Sequence, residues 1–480
     1  MRLSVKHANQ QTAEYMDFSG GLNTSNASEM ISPNELSRAI NVEIDKSTGL
    51  LRTTAGTRDV FTKEGVNFSD VWYDRLGDSF VICGKDKKIY CYKDSECKEI
   101  GTLTGGKTPN FALWEDGVLI ASGGKLQYFK QGKVETMSNS PAECNGVFVK
   151  DGRVWTYCKD RIDVSGVGDE NAWTSDVDDI SSAQWLEVGY KNGGEIMGIV
   201  ALSSDALVIK DNGYVFRVQG SFPNVTPSEV SREVTCKGNV PAVALVNDAI
   251  ILGKNSVQDV STTNNYGDMQ ANNIGVKVEG DIAALPEHTK LRYIPPLNQV
   301  WFITGDRRFL FLDIRTGGFF EREFNSPVMD VCYKGNEVYV LKQNKLQKLD
   351  ETSTKDDGEP IRWYFKGKTL TAHYEYVVKR GVIEVTPLEG KPIDCRFWIG
   401  EAMIKARTIR EGYVKPLQSN SVEVYGNLSE VYGNMTEVFA LEVYRTTLRF
   451  IERLPAIKVE CQGEDGQMMF NRIKFDYAEV

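Results

Sequence analysis

Histidine is nearly missing from this chain: three in 480 residues. His7, His288 and His373 stand in a terminal stretch, a polar loop and a strand, and none pairs a nucleophile with a base. Also absent is any apolar run of the ~18 residues that a membrane-spanning helix needs. The start, Met-Arg-Leu-Ser-Val-Lys-His, continues into polar residues where a signal peptide places its apolar stretch, so a soluble chain made in a cytosol is expected. The nine cysteines are odd in number and contain no C-x-x-C pair, which supports neither a disulfide framework nor zinc spacing; reduced packing residues are expected. A basic stripe is lacking too. Net charge is −10, with residues 361–480 at about +1 and the rest at about −11, which argues against nucleic-acid binding by phosphate neutralisation.

What is present is apolar and aromatic material, 41% and 10% of the chain, with 43 glycines, 20 tyrosines and 21 phenylalanines. That mixture favours strands punctuated by turns, and an all-β protein is expected. One helix start stands out: Ser32 can cap, Pro33 suits the first helical position and Glu35 closes a capping box, which predicts a short helix from Pro33 to about Ile40. Asn41-Val-Glu-Ile-Asp45 and the stretch from Leu50 then read as a hairpin around Gly49.

From residue 66 to 350 a loose unit recurs: an apolar strand, an Asp/Asn-Gly turn, a strongly apolar strand, a polar turn and an aromatic strand. Copies begin near Val71, Phe111, Gly146, Gly198, Ala242, Leu291 and Val328. Spacing of roughly 35–50 residues is that of propeller blades, and predicts a β-propeller of about seven blades, with six to eight as the range. Two β-sandwiches with similar turn spacing are the competing fold, since no WD or kelch signature is present. The expected organisation is an amino-terminal arm with helix and hairpin (1–65), the propeller (66–350), a polar linker (351–361) and a β-sandwich-like domain (362–480). Within the last, Glu423-Val-Tyr-Gly-Asn, Glu430-Val-Tyr-Gly-Asn and Glu437-Val-Phe repeat at seven residues. Gly426 and Gly433 argue against a coiled coil, so a loop projecting near 411–440 is expected, with Tyr425, Asn427, Tyr432 and Asn434 at its distal end.

Catalytic chemistry finds little foothold. Asp176-Val-Asp-Asp179 lacks the spacing of an EF-hand loop and reads as a solvated acidic loop, and Thr104-Gly-Gly-Lys-Thr108 lacks the first glycine of a P-loop. No pair of acids is singled out for glycoside hydrolysis, and no enzyme, metal or cofactor is expected. Trp72, Trp114, Trp155, Trp173, Trp185 and Trp301 either stack on sugars or fill blade faces.

The stretch Phe18-Ser-Gly-Gly-Leu-Asn23, then Asn34-Glu35, Asn41-Val-Glu-Ile-Asp45, Gly49-Leu-Leu-Arg52 and Gly56 resembles the opening of the tail nozzle (tail hub) proteins of short-tailed bacteriophages, the packaged-DNA stabilisation proteins. The family pattern has Arg-Pro-Gly where this chain has Thr54-Ala55-Gly56. The ending, Arg472-Ile-Lys-Phe-Asp-Tyr, is similar to that family's last strand. The likeness covers about residues 17–56 and the terminus, with only architecture shared between.

The resemblance implies a structural virion protein of the phage tail, assembled in the host cytoplasm. It implies a homo-hexameric ring below portal and adaptor proteins, beside tail fibre, spike or needle proteins, that retains double-stranded DNA and then conducts it without specific binding. Six chains of charge −10 would carry about −60, suited to repelling phosphates. Gly20 and Gly21, which permit positive φ or close approach, serve either a contact with a neighbouring protomer or a local turn. Rival expectations are a carbohydrate- or receptor-binding propeller and a propeller hydrolase.

Overall fold

The structure, a computed structural model, describes residues 10–262, 269–387, 395–398, 407–409, 415–416, 444–464 and 466–479. Its strands fall into two compact units, one of residues 58–312 and 326–349, the other of residues 1–57, 313–325 and 350–480.

The first unit is a β-propeller. Four-stranded antiparallel sheets follow one another along the chain, beginning at Phe68–Asp74, Asn110–Trp114, Gly146–Lys150, Ile196–Ala201 and Ala242–Ala244. A sixth blade runs through Lys290–Ile294, Gln299–Ile303 and Arg308–Asp313, and a seventh through Val328–Lys334, Glu337–Lys342 and Lys345–Asp350. Each of the seven repeats read from the sequence is one blade.

The strongly apolar run in each repeat is the second strand of its blade. Ser79–Gly84, Gly117–Ala121, Ala206–Lys210, Ala249–Leu252 and Gln299–Ile303 are buried along their whole length. Such a strand is covered on both faces by the adjoining blades, so it carries no polar alternation. Apolar clusters bridge consecutive blades, as where Trp155 and Val164 of the third pack with Val208 and Phe216 of the fourth. Phe68 and Tyr90 of the first blade pack with Tyr339 and Leu346 of the seventh, which closes the ring.

The seventh blade takes its fourth strand, Gly56–Thr62, from the amino-terminal side, and Gln347 Nε2 donates to Asp59 Oδ1 at 2.6 Å across that seam. The propeller therefore begins at 58 rather than 66, because the ring needs this strand to cover an open edge.

The second unit weaves the arm into the carboxy-terminal strands. Arg362–Pro387 pairs with Tyr444–Glu464 and with Met468–Glu479, and the last also takes Gln10–Tyr15 and Leu51–Thr53. Trp363, Phe365, Gly367 and Thr369 are buried while the residues between them are not, the period-two pattern of a sheet with one covered face. Phe18, Trp363, Phe365 and Phe470 form its aromatic core, with Phe365 and Phe470 edge to face at 4.8 Å.

Two expectations are corrected. The helix from Pro33 is not formed: Glu35–Leu36 and Arg38–Ile40 are strands. The capping contact exists, since the Ser32 N–H donates to Glu35 Oε2 at 2.8 Å. The turn stops there because Glu35–Leu36 pairs with Gly21–Leu22 and the Ser37 N–H donates to the Lys366 carbonyl, and these sheet bonds outbid the next helical turn. The linker 351–361 is instead a fixed hairpin, Lys355–Asp356 against Glu359–Pro360. Its Asp356 is buried and accepts bonds from Thr57 Oγ1 and the Asn325 N–H, both at 2.6 Å. The only α-helix among the described residues is Glu279–Ala284. Nearly all of the loop near 411–440, with Tyr425, Asn427, Tyr432 and Asn434, lies outside them.

Candidate functional site

The motif residues of the amino-terminal segment converge inside the second unit. Phe18 and Leu22 are buried, Phe18 lying 5.6 Å from the Phe365 ring. Gly20 approaches the Asn34 carbonyl, to which its N–H donates at 3.1 Å. Gly21 has φ +64°, and a Cβ there would sit 2.7 Å from the Gly318 Cα, so two backbones touch where only glycine fits. The close approach that these glycines permit is made within the chain.

Glu35 acts as a staple: its Oε2 accepts from Asn23 Nδ2 at 2.9 Å and from the Ser32 N–H. Asn41 sits at φ 54° and is bonded through both its backbone and its side chain. Its N–H donates to the Glu321 carbonyl, its carbonyl accepts from Thr54, its Nδ2 donates to the Arg362 carbonyl at 2.7 Å, and its Oδ1 accepts from the Glu323 N–H at 2.8 Å. A left-handed asparagine bonded on all sides joins three segments far apart in sequence.

Val42 is buried on the first strand of the predicted hairpin, and Gly49, at φ +73°, turns it. Asp45 closes the turn by accepting from the Ser47 and Thr48 N–H groups and hydroxyls. Burial alone would raise the Asp45 pKa, but those bonds and the Arg52 guanidinium together bring it down to about 2. Arg52 holds Glu43 in a forked contact at 2.8 and 3.0 Å, and the buried Glu43 carboxylate keeps the Arg52 guanidinium charged. Gly56 lies where any Cβ would collide with the carbonyl oxygens of Lys355 and Ser353.

Several members of this clasp were missed from sequence. Glu43 had a signal, because a hairpin turned at Gly49 places it opposite Arg52. Arg322, buried with its NH2 donating to the Ala55 carbonyl at 2.9 Å and 4.0 Å from Glu43, had none. Nor did the charges at the ring closure of the propeller. There Lys290 reaches Asp70 at 2.5 Å, and Arg292 forks onto Asp330 at 2.8 and 3.1 Å, joining the first strands of blades six, one and seven.

Two of the chemical candidates carry structural duties. His288 Nε2 meets the Thr304 carbonyl at 2.7 Å, and His7 lies outside the described residues. The N–H groups of Thr104, Gly105 and Lys107, which a phosphate cradle would need, are bonded to Gln127 and Ser122. Among the described residues no group of three or more His, Cys, Asp or Glu is placed to hold a metal ion. Trp155, Trp301 and Trp114 are buried, whereas Trp185 is half exposed with the Arg161 guanidinium over its ring at 4.8 Å. No helix among the described residues is long and apolar enough to cross a membrane.

No protein-family model and no curated protein match this chain. Solved structures do. BamB from Moraxella catarrhalis aligns with a TM-score of 0.41 and 12% identity over 64% of this chain and 93% of that one. The WD40 β-propeller domain of Doa1 gives 0.40 and 13% over 61% and 96%. The β-propeller domain of Myceliophteria thermophila Cps50 (Swd1) gives 0.42 and 9% over 61% and 98%. The chain is similar to β-propellers, and its own strand order carries the assignment to that fold.

Proposed function

We propose that the chain is a structural virion protein of a short-tailed phage: six copies form a tail nozzle that extends the portal-adaptor channel, retains packaged DNA and conducts it on ejection. The observation that carries the reading is the clasp. Phe18, Gly21, Asn23, Glu35, Asn41, Asp45, Arg52 and Gly56, through which the sequence resembles that family, come together in the second unit, all but Arg52 buried, which supports reading them as one motif. A propeller followed by a β-rich module is also the architecture which that resemblance implies, and an acidic chain suits a passage for duplex DNA. Portal-adaptor proteins above and fibre, spike or needle proteins below are the partners on this reading. Negative-stain electron microscopy of the purified protein tests it: six-fold rings with a central channel are expected, and a strictly monomeric particle at high concentration overturns it.

A second reading, a carbohydrate- or receptor-binding propeller, rests on the half-exposed Trp185. A glycan array decides it, with binding lost in Trp185→Ala as its expected signature.

A further inference from the structure

The connection from Val164 to Gln184 in the third blade stands apart from its counterparts. In the first two blades the third and fourth strands are joined by the tight turns Asp94-Ser95 and Gln131-Gly132. Here the chain makes a long excursion instead. Residues 161–190 hold seven acidic residues against Arg161 alone, a net −6 out of the −10 of the whole chain.

The excursion is held in a defined shape from beneath. Arg153, 4% exposed, donates through NH1 to the Ser165 and Ser182 carbonyls, both at 2.7 Å, and through NH2 to the Ile180 carbonyl at 2.6 Å. Trp114 of the second blade donates to Glu170 Oε2 at 3.0 Å, and the Val167 N–H donates to the Ser181 carbonyl. A buried guanidinium spent on loop carbonyls is a costly way to fix a loop with no task.

What this scaffold presents is apolar and acidic. Val177 is 97% exposed, Ile180 67% and Val167 54%. Asp176, Asp178 and Asp179 beside them form no ion pair among the described residues, whereas Asp163 pairs with Arg161. A fixed loop that leaves branched aliphatic side chains in water beside carboxylates that turn bonds hold but no salt bridge neutralises has the make-up of a contact surface.

We infer that the 165–183 loop of the third blade is a docking surface for a basic segment of a partner protein, with lysines or arginines facing Asp176, Asp178 and Asp179 and an apolar side chain against Val177 and Ile180. Charge complementarity selects this occupant: nucleic acid would be repelled, and the same loop of a second copy would repel it equally. The inference does not rest on the nozzle reading.

The test uses the full chain and a fluorescein-labelled peptide of alternating lysine and leucine, with lysine–glycine and glutamate–leucine peptides of equal length as controls. By fluorescence anisotropy, wild type is expected to bind the lysine–leucine peptide about tenfold more tightly than either control, with the affinity falling as salt rises. Val177→Ser with Ile180→Ser should reduce it to the lysine–glycine level. Asp176→Asn with Asp178→Asn and Asp179→Asn, which keeps the turn acceptors, should remove both the affinity and its salt dependence. Equal affinity of wild type and both variants, with their melting temperatures unchanged, overturns the proposal. So does an oligomer, seen by mass photometry, that Val177→Ser with Ile180→Ser dissolves, since the occupant would then be a second copy.

Discussion

The propeller and the clasp solve the same problem by opposite means. Between blades, cohesion is mainly apolar and repetitive: Trp155, Val208, Phe216 and their neighbours fill a seam of a kind found again between other blades, and the Lys290–Asp70 and Arg292–Asp330 ion pairs add to it at the ring closure. In the clasp it is polar and singular, with Asn41, Glu35, Glu43 and Arg52 binding backbone and one another in a pattern used once. Apolar seams tolerate drift in residue identity so long as volume is kept, whereas a bonded network is specified atom by atom. That contrast sets the singular network of residues 18–56 against seven blades that share only a pattern.

The comparison can be broken by mutation, and calorimetry of the full chain reads each result. The largest effect is expected from Trp155→Ala, which empties a fully buried site and should cost about 3–5 kcal/mol in the propeller transition. Gly56→Ala should cost about 3 kcal/mol, since both colliding atoms belong to backbone, while Gly132→Ala, with open space around it, should cost about 1 kcal/mol from its positive φ. Asn41→Ala should cost about 2 kcal/mol by leaving the Arg362 carbonyl and the Glu323 N–H without its side chain, and Asn41→Gly should recover only the part due to φ. If Trp155→Ala and Asn41→Ala lower one common transition equally, the units unfold together and the contrast is one of chemistry alone.

The smallest effect is that of pH at Asp45. Its folded pKa, about 2, lies below the unfolded value of 3.8, so its contribution is full above about pH 4 and is lost as pH falls toward 2 and below. Urea midpoints between pH 5 and 2 should therefore fall more steeply for wild type than for Asp45→Asn. Parallel curves would assign the acid sensitivity to other carboxylates.

Legibility followed locality. The blades were readable because a strand covered on both faces must be apolar throughout, and the Gly49 hairpin because its turn and both strands are neighbours. The Pro33 helix was misread for the reciprocal reason: its capping box is real, but the competing partners, Gly21–Leu22 and Lys366, lie elsewhere in the chain. Asp350 to Pro360 looked like a linker because nothing nearby hints that Asp356 is claimed by Thr57 and Asn325. The acidic stretch Asp176–Asp179 was legible, yet Arg153, which holds the longer Val164–Gln184 excursion around it, carried no sign of its duty.

By itself the sequence determined an all-β chain with seven repeats, because side-chain alternation and turn residues act over a few positions. Only the tertiary structure decided that a strand from residues 56–62 completes the last blade and that the arm is woven into the carboxy-terminal sheet. Backbone hydrogen bonds between strands are the same for any sequence, so which distant edges meet is settled by the packing that buries them together.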